Sequence, residues 1–509
     1  MANLWELLER AGLLPVGVAV ASLPACGDDL LEGLRWIWSE AAGREHGAAG
    51  GRCRRIAERL RACQQRGARL TVSIPDLADR PFDPWLGLRL AWWPAGLPNG
   101  RKVGLVSSRL GRDLETRRRW FAALRSACMN LDRDRDWLIT ARSISTQKFV
   151  QRAGALFGVR VLEVDVWSEP DRDASRWGVR LLESDPTDDA GPALHLSPPC
   201  GPTADESLTC EAPAADRAVV ALSDRLIVLS ARPGGNVDRL VARRLAATES
   251  PAASVFLALG HDLVPRDLAE PWMDAGAVGW YLQDAEDSQG SAEEVPWRTA
   301  DLSRPRTAPV RRLAAGLHGD LLTHWTRRRG GPWPDEREAD YLDDLILDRG
   351  GADHSAFAAL WRIVQTRRLI ATSDLVRGAV PVVCFTEVPL AELQQHRSFR
   401  PHLARWDFEP FGISIDRSWL HQHGAQPVHY GDQELWEGLS DEQRPFFQKR
   451  TTLTRHGRLI DWSAEREWRH PGDLVLDEVS PESALVFVPT LAHARQIAVI
   501  SPWPVIVLD

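Results

Sequence analysis

Two groups of residues have the types and spacing that chemistry needs. In the second half of the chain, His324 lies in Thr323-His324-Trp325-Thr326, and Glu465-Arg466-Glu467-Trp468-Arg469 follows much later. Residues two apart on an extended strand share a face, so Glu465, Glu467 and Arg469 are expected together, the arginine balancing two carboxylates that repel each other. Breaking a nicotinamide–ribose bond needs a carboxylate near the ribose 2′-hydroxyl and the incoming nucleophile. It also needs a polar group to fix the ribose and an aromatic wall for the leaving base. A solvent-facing charge ladder and a structural histidine would have the same spelling.

The second group lies at three strand ends in the first half. Ser107-Ser108-Arg109 follows Val103–Val106, Thr140-Ala141-Arg142-Ser143-Ile144-Ser145 follows Trp137–Thr140, and Ser230-Ala231-Arg232-Pro233-Gly234-Gly235-Asn236 closes a third strand. Small residues, hydroxyls and an arginine beyond the carboxyl end of a parallel strand suit phosphate or ribose, because helix N-termini present free N–H groups there. Serine and glycine are also ordinary βα-turn residues.

The elements that must position these groups are legible as patterns. Short apolar strands at 103–106, 137–140, 159–166, 224–230 and 254–260 alternate with amphipathic helices. One helix is expected to open at Asp113 and to bury Trp120, Phe121, Leu124 and Cys128. Another is expected to be capped by Ser145 and to bury Phe149, Val150, Ala153, Leu156 and Phe157, and a third starts at Asn236. Such alternation implies parallel pairing through βαβ crossovers. Residues 1–100 read as an α/β segment packing on the next domain, with a strand Val16–Ser22, helices near 28–42 and 51–66, and a strand ending at Pro75. The Pro-, Gly-, Ser- and Asp-rich stretch 183–213 reads as a surface loop or flexible insertion, and 284–310 as a linker. From 311 onward the pattern is α+β, with a helix Ser355–Arg368 and strands near 380–386, 411–415, 426–430, 466–476 and 483–489.

Bulk properties exclude several classes. The 509 residues carry a net charge of -8, so nucleic-acid binding would need a local basic patch. Lys102, Lys148 and Lys449 are the only lysines and none lies in GxxxxGK[ST], which removes a P-loop NTPase. Seven cysteines without a CxxC pair argue against a disulfide framework and a zinc ribbon, and no metal site is expected. No apolar run reaches membrane-spanning length, and Glu6 and Glu9 stand where a signal peptide would be basic, so a cytoplasmic location and no membrane partner are expected.

Two resemblances sharpen these readings. V-G-L-V-S-S-R, T-A-R-S-I-S-T-Q-K-F-V-Q-R-A and D-R-L-I-V-L-S-A-R-P-G-G-N, over about 100–265, resemble the Rossmann-like superfamily that contains the LOG phosphoribohydrolases and DprA. The resemblance implies a nucleotide-binding domain at 101–283, with Ser107, Ser108, Arg109, Arg142, Ser143, Ser145, Gly234, Gly235 and Asn236 at the ligand. LOG hydrolases carry PGGxGTxxE; here Val241 occupies the glutamate position, so the resemblance implies a sensor that binds without cleaving. Over about 318–490, H-W-T, C-F-T-E-V-P-L, F-G-I-S-I-D-R-S-W, P-V-H-Y and E-R-E-W-R resemble AbiGi-type abortive-infection proteins and, more distantly, DarT-like ADP-ribosyltransferases.

That second resemblance implies NAD as substrate. His324 would hold the ribose, Glu467 would orient the 2′-hydroxyl and Glu465 would position the acceptor. Thr326, Thr386, Tyr430 and Arg469 would complete the NAD site. The expectation is therefore an α/β Rossmann-like domain followed by an α+β ADP-ribosyltransferase-like domain at 311–509. The chain would be a phage-defence effector that senses a nucleotide-derived ligand and then uses NAD to ADP-ribosylate a protein or nucleic-acid target, or cleaves NAD. The alternative is a non-catalytic antitoxin or regulator that only binds nucleotide and partner.

Overall fold

The computed structural model describes residues 8–9, 11–15, 30–72, 83–167, 170–183, 193–199, 212–247, 254–260, 263–281, 308–313, 320–373, 376–392, 397–400, 405–453 and 459–508. The expected strand Val16–Ser22, the end of the strand at Pro75 and the linker up to residue 307 lie outside them. The chain divides into two units, Met1–Gly111 with Arg117–Asp287, and Arg112–Thr116 with Ser288–Asp509. Residues 1–100 thus belong to the same unit as the Rossmann-like region.

Nine strands form the sheet of the first unit: β1 (Arg69–Thr71), β2 (Ala91–Trp93), β3 (Arg101–Ser107), β4 (Asp136–Ala141), β5 (Arg160–Val166), β6 (Ala193–Leu196), β7 (Arg225–Ser230), β8 (Val255–Leu259) and β9 (Val278–Tyr281). Their order is β1-β2-β6-β5-β4-β3-β7-β8-β9, and β6 through β9 pair in parallel while β1 and β2 are antiparallel. Starting at β3, the chain builds outward through β4, β5 and β6, crosses back, and builds the other way through β7, β8 and β9. This is the doubly wound, Rossmann-like order, with its reversal between β3 and β7.

The helices follow the expected faces with shifted ends. The helix after β3 is Arg118–Met129, not a helix opening at Asp113, and it buries Trp120, Phe121, Leu124 and Cys128. The helix after β4 starts at Gln147 with Thr146 at its cap position, so Ser145 is not the cap. It buries Phe149, Val150 and Ala153 but leaves Leu156 and Phe157 half-buried. The reading of 183–213 as a loop is corrected in its middle. Ala193–Leu196 is β6, buried at all four positions, with Leu194 and Leu196 in the main core. The helices Leu30–Arg44 and Gly47–Gln65 pack over a separate apolar cluster with Trp38, Leu60 and Trp177.

The second unit holds an eight-stranded sheet: β10 (Val310–Arg312), β11 (Leu321–Trp325), β12 (Val382–Thr386), β13 (Gly412–Asp416), β14 (Gln426–Pro427), β15 (Glu467–Pro471), β16 (Ala484–Val488) and β17 (Val505–Val507). Their order is β10-β17-β16-β13-β11-β12-β15-β14. One face carries Leu322, Val383, Phe385, Ile413, Ile415 and Val486 and packs on Leu360, Trp361 and Val364 of the helix Ala356–Thr366. Ser355 caps that helix by accepting from the Ala358 N–H. The opposite face carries Leu321, Trp325, Leu485 and Phe487 in a smaller cluster.

One strand-end expectation fails here. Glu465 belongs to the 3-10 turn Trp462–Glu465, Arg466 turns the chain at φ 44°, and β15 begins only at Glu467. The residue with positive φ breaks the extended run, so Glu465 does not share the Glu467 strand face.

Candidate functional site

In the first unit, two of the three serine-rich junctions border the reversal between β3 and β7. Ser107 and Ser230 are register partners with hydroxyls 2.9 Å apart, Ser107 Oγ accepts from Trp120 Nε1, and the Ser108 N–H donates to the Ser230 carbonyl. The two serine side chains thus tie the strand ends together. Arg109 is exposed, and its carbonyl accepts from Arg232 Nη2 at 2.8 Å. Gly234 takes φ 69°, a left-handed turn that suits glycine, and its N–H donates to Asp238. Gly235 then occupies the cap position of the helix Asn236–Ala246, and Val241 is fully buried in that helix.

A residue that the sequence reading passed over also lies here. Asp216, half-buried in the first turn of the helix Ala214–Leu222, lies within electrostatic reach of Asn236 and Arg109. Burial raises its carboxyl above the usual range, only partly offset by Asn236 and Arg109. The signal for it was an acid opening a crossover helix, which is too common to single out.

The third junction is different. Arg142 is bonded to Glu163 and lies 3.5 Å from Asp165, both on β5, and Gln147 also donates to Glu163. Ser143 adopts φ 74°, and Ser143 and Ser145 are exposed. The helix Arg118–Met129 has no acid in its first turn and starts with Arg117, Arg118 and Arg119, and the first turn of Gln147–Phe157 holds Lys148 and no acid.

In the second unit, register decides the arrangement. Thr323 pairs with Ser414 and Thr386, and Thr386 pairs with Glu467, so these four share one face. His324 pairs with Ile413, points with Leu322 to the other face, and meets Phe385 edge-on at 5.8 Å. His324 and Glu467 therefore lie two strands apart on opposite faces of the sheet. They do not form the shared cleft that the NAD reading required.

Each predicted residue has defined partners. His324 Nδ1 lies 2.9 Å from the Cys384 carbonyl, which can only accept, so Nδ1 carries the proton. Burial pushes the imidazole down to about 4, so it is neutral at pH 7 with Nε2 as an acceptor. Arg469 is buried and donates to both oxygens of Glu467, to the Pro445 and Phe447 carbonyls and to Gln448. Tyr430 Oη accepts from the Glu467 N–H at 2.8 Å, and burial raises its hydroxyl to about 12. Thr386 donates to the Glu465 carbonyl, and Thr326 donates to the Ala356 carbonyl, so both are tied to backbone. Cys384, missed from sequence, is exposed on the Glu467 face of an interior strand; burial of its surroundings and the Glu467 charge push its thiol up. That thiol stays protonated and is no ready nucleophile.

Among the described residues, no group of three or more His, Cys, Asp or Glu is placed to hold a metal ion, and no helix is long and apolar enough to cross a membrane. No protein family matches the chain, and no curated protein aligns with it. A solved structure of DNA processing protein A (DprA) from Streptococcus pneumoniae is similar at 16% identity, over 57% of this chain and 97% of that one, with a TM-score of 0.26. The Rossmann-like class of the first unit rests on its own strand order.

Proposed function

We propose that the first unit binds a nucleotide-derived anion in the crevice between β3 and β7. The carrying observation is the reversal of strand order there, flanked by the Gly234–Gly235 turn, Asn236 at a helix start and Arg109. Ligands of open parallel sheets gather at such reversals. Val241 gives no acid at the helix position where hydrolysis would need one, which supports binding without cleavage. Calorimetric titration with AMP and ADP-ribose should show binding, and Arg109→Glu should weaken it at least tenfold while Ser143→Ala leaves it unchanged. Absence of binding by the wild-type chain at millimolar ligand would sink this reading.

A second reading keeps the NAD-directed defence function but moves it wholly to the Glu467 face. It is favoured by a carboxylate held in place by Arg469 beside the exposed Cys384 and the Tyr430 hydroxyl. On this reading Glu467→Gln abolishes NAD consumption, whereas His324→Ala, across the sheet, leaves it within about twofold. The opposite pattern would move the chemistry to the His324 face, and no NAD consumption by the wild type leaves the non-catalytic regulator as the description of this unit.

A further inference from the structure

The loop that leaves β3 at the crevice runs directly into the second unit. The Ser108 N–H donates to the Ser230 carbonyl and the Arg109 carbonyl accepts from Arg232, so the chain is pinned to the end of β7 as far as residue 109. Leu110 and Gly111 follow, Gly111 at φ 83°, and Arg112–Thr116 already belongs to the second unit. The three Cα steps from Arg109 to Arg112 reach roughly 10 Å at full extension, so this link holds little slack.

Within the second unit, that segment grips the loop after β11. Arg328 Nε donates to Glu115 Oε2 at 2.8 Å, Nη2 donates to the same oxygen, and Nη1 lies 3.4 Å from Asp113. The gripped stretch is itself held by its backbone: the Thr326, Arg328 and Arg329 N–H groups donate to Phe411, Glu409 and His354. These bonds fix how the chain leaves β11, the strand that carries His324. Glu115 Oε1, by contrast, is buried with no hydrogen-bond partner. A carboxylate with one oxygen bonded twice and the other buried and unbonded is an unbalanced arrangement, which a small displacement of the segment can rearrange.

Resting on the crevice reading above, we propose that Arg112–Thr116 is a latch through which the second unit responds to crevice occupancy. A phosphate drawn to Arg109 shifts the short Leu110–Gly111 link, the link shifts Glu115, and Arg328 carries the change to the end of β11. Linkage makes such coupling reciprocal, so loosening Arg328 also loosens the crevice end of β3.

The test is amide hydrogen exchange on the full chain, with and without AMP. In wild type, saturating AMP should change exchange at the Thr326, Arg328 and Arg329 amides at least threefold. Glu115→Gln, which keeps the shape and removes the charge that grips Arg328, should abolish that response while calorimetry finds AMP affinity within twofold of wild type. A second arm needs no ligand. Arg328→Gln should quicken exchange at the Ser108 amide at least threefold, whereas Arg368→Gln, which breaks the exposed Arg368–Asp473 pair of the same unit, should not. Bound AMP without a response at the three amides, or a response that survives Glu115→Gln, overturns the latch and leaves the crevice reading standing. Unchanged Ser108 exchange in Arg328→Gln also overturns the latch. Absence of AMP binding by wild type sinks the crevice reading, and with it the response to ligand proposed here.

Discussion

His354 is fully buried between the rings of Trp333 and Tyr341, at centroid distances of 4.1 and 4.8 Å, and its Nδ1 lies 2.6 Å from the Gly331 carbonyl. Burial pushes it down to about 4. The unfolded chain therefore takes up this proton at a higher pH than the folded chain does. The stability held by neutral His354 is present above about pH 6.5 and is lost as pH falls toward 4, with an upper bound of roughly 3 kcal/mol. Glu336, 3.5 Å away and raised by burial, titrates with the opposite sign and offsets part of the slope. Denaturant unfolding at pH 7 and pH 4.5 should show wild type weaker at the lower pH. His354→Phe should narrow that difference, and Glu336→Gln should widen it; equal pH dependence in all three chains would contradict the assignment.

At the scale of elements, β6 gives the clearest test. Leu194 is fully buried within a stretch whose composition reads as loop. Leu194→Ala should cost about 2–5 kcal/mol in unfolding free energy, as truncations in a packed core do, against near zero for a surface loop. The βαβ run was readable because its helices each keep an apolar stripe over three turns, which fixes their type even where their ends drift. β6 was not, because Ala-Leu-His-Leu is too short for a period and is flanked by Pro, Gly and Asp. The junction after β3 was legible as residue types and as a place. The separation of His324 from Glu467 onto opposite faces was not, since their faces are set by pairings through Val382–Thr386, whose register no local pattern encodes. The positive φ of Arg466, which removes Glu465 from the strand, is likewise invisible in Glu-Arg-Glu.

For the whole molecule, charge and partition matter more than any one contact. A chain of net charge -8 gathers cations at the carboxyl-end edge of one sheet, at Arg109, Arg117, Arg118, Arg119 and Lys148. Long-range repulsion of anions then opposes short-range attraction at the crevice, and salt screens both. The pairing of a doubly wound unit with a second, mostly antiparallel one was visible as a change of pattern near residue 311. The exact edge was not, because β10 at Val310–Arg312 is a short, half-polar strand that borrows its stability from a distant partner.

That borrowing has a kinetic consequence. Among the described residues, β10 pairs only with β17, at Val505–Val507, which itself docks on β16. Every other described strand of the second unit lies between these two partners in the chain, so closing their ladder means closing a loop that contains the rest of the described sheet. The entropic cost of that closure falls late, when β11 through β16 already provide a surface to dock on. The β10–β17 edge should be the slow step of refolding, and until it forms, β17 is an open edge that can recruit a strand from another molecule.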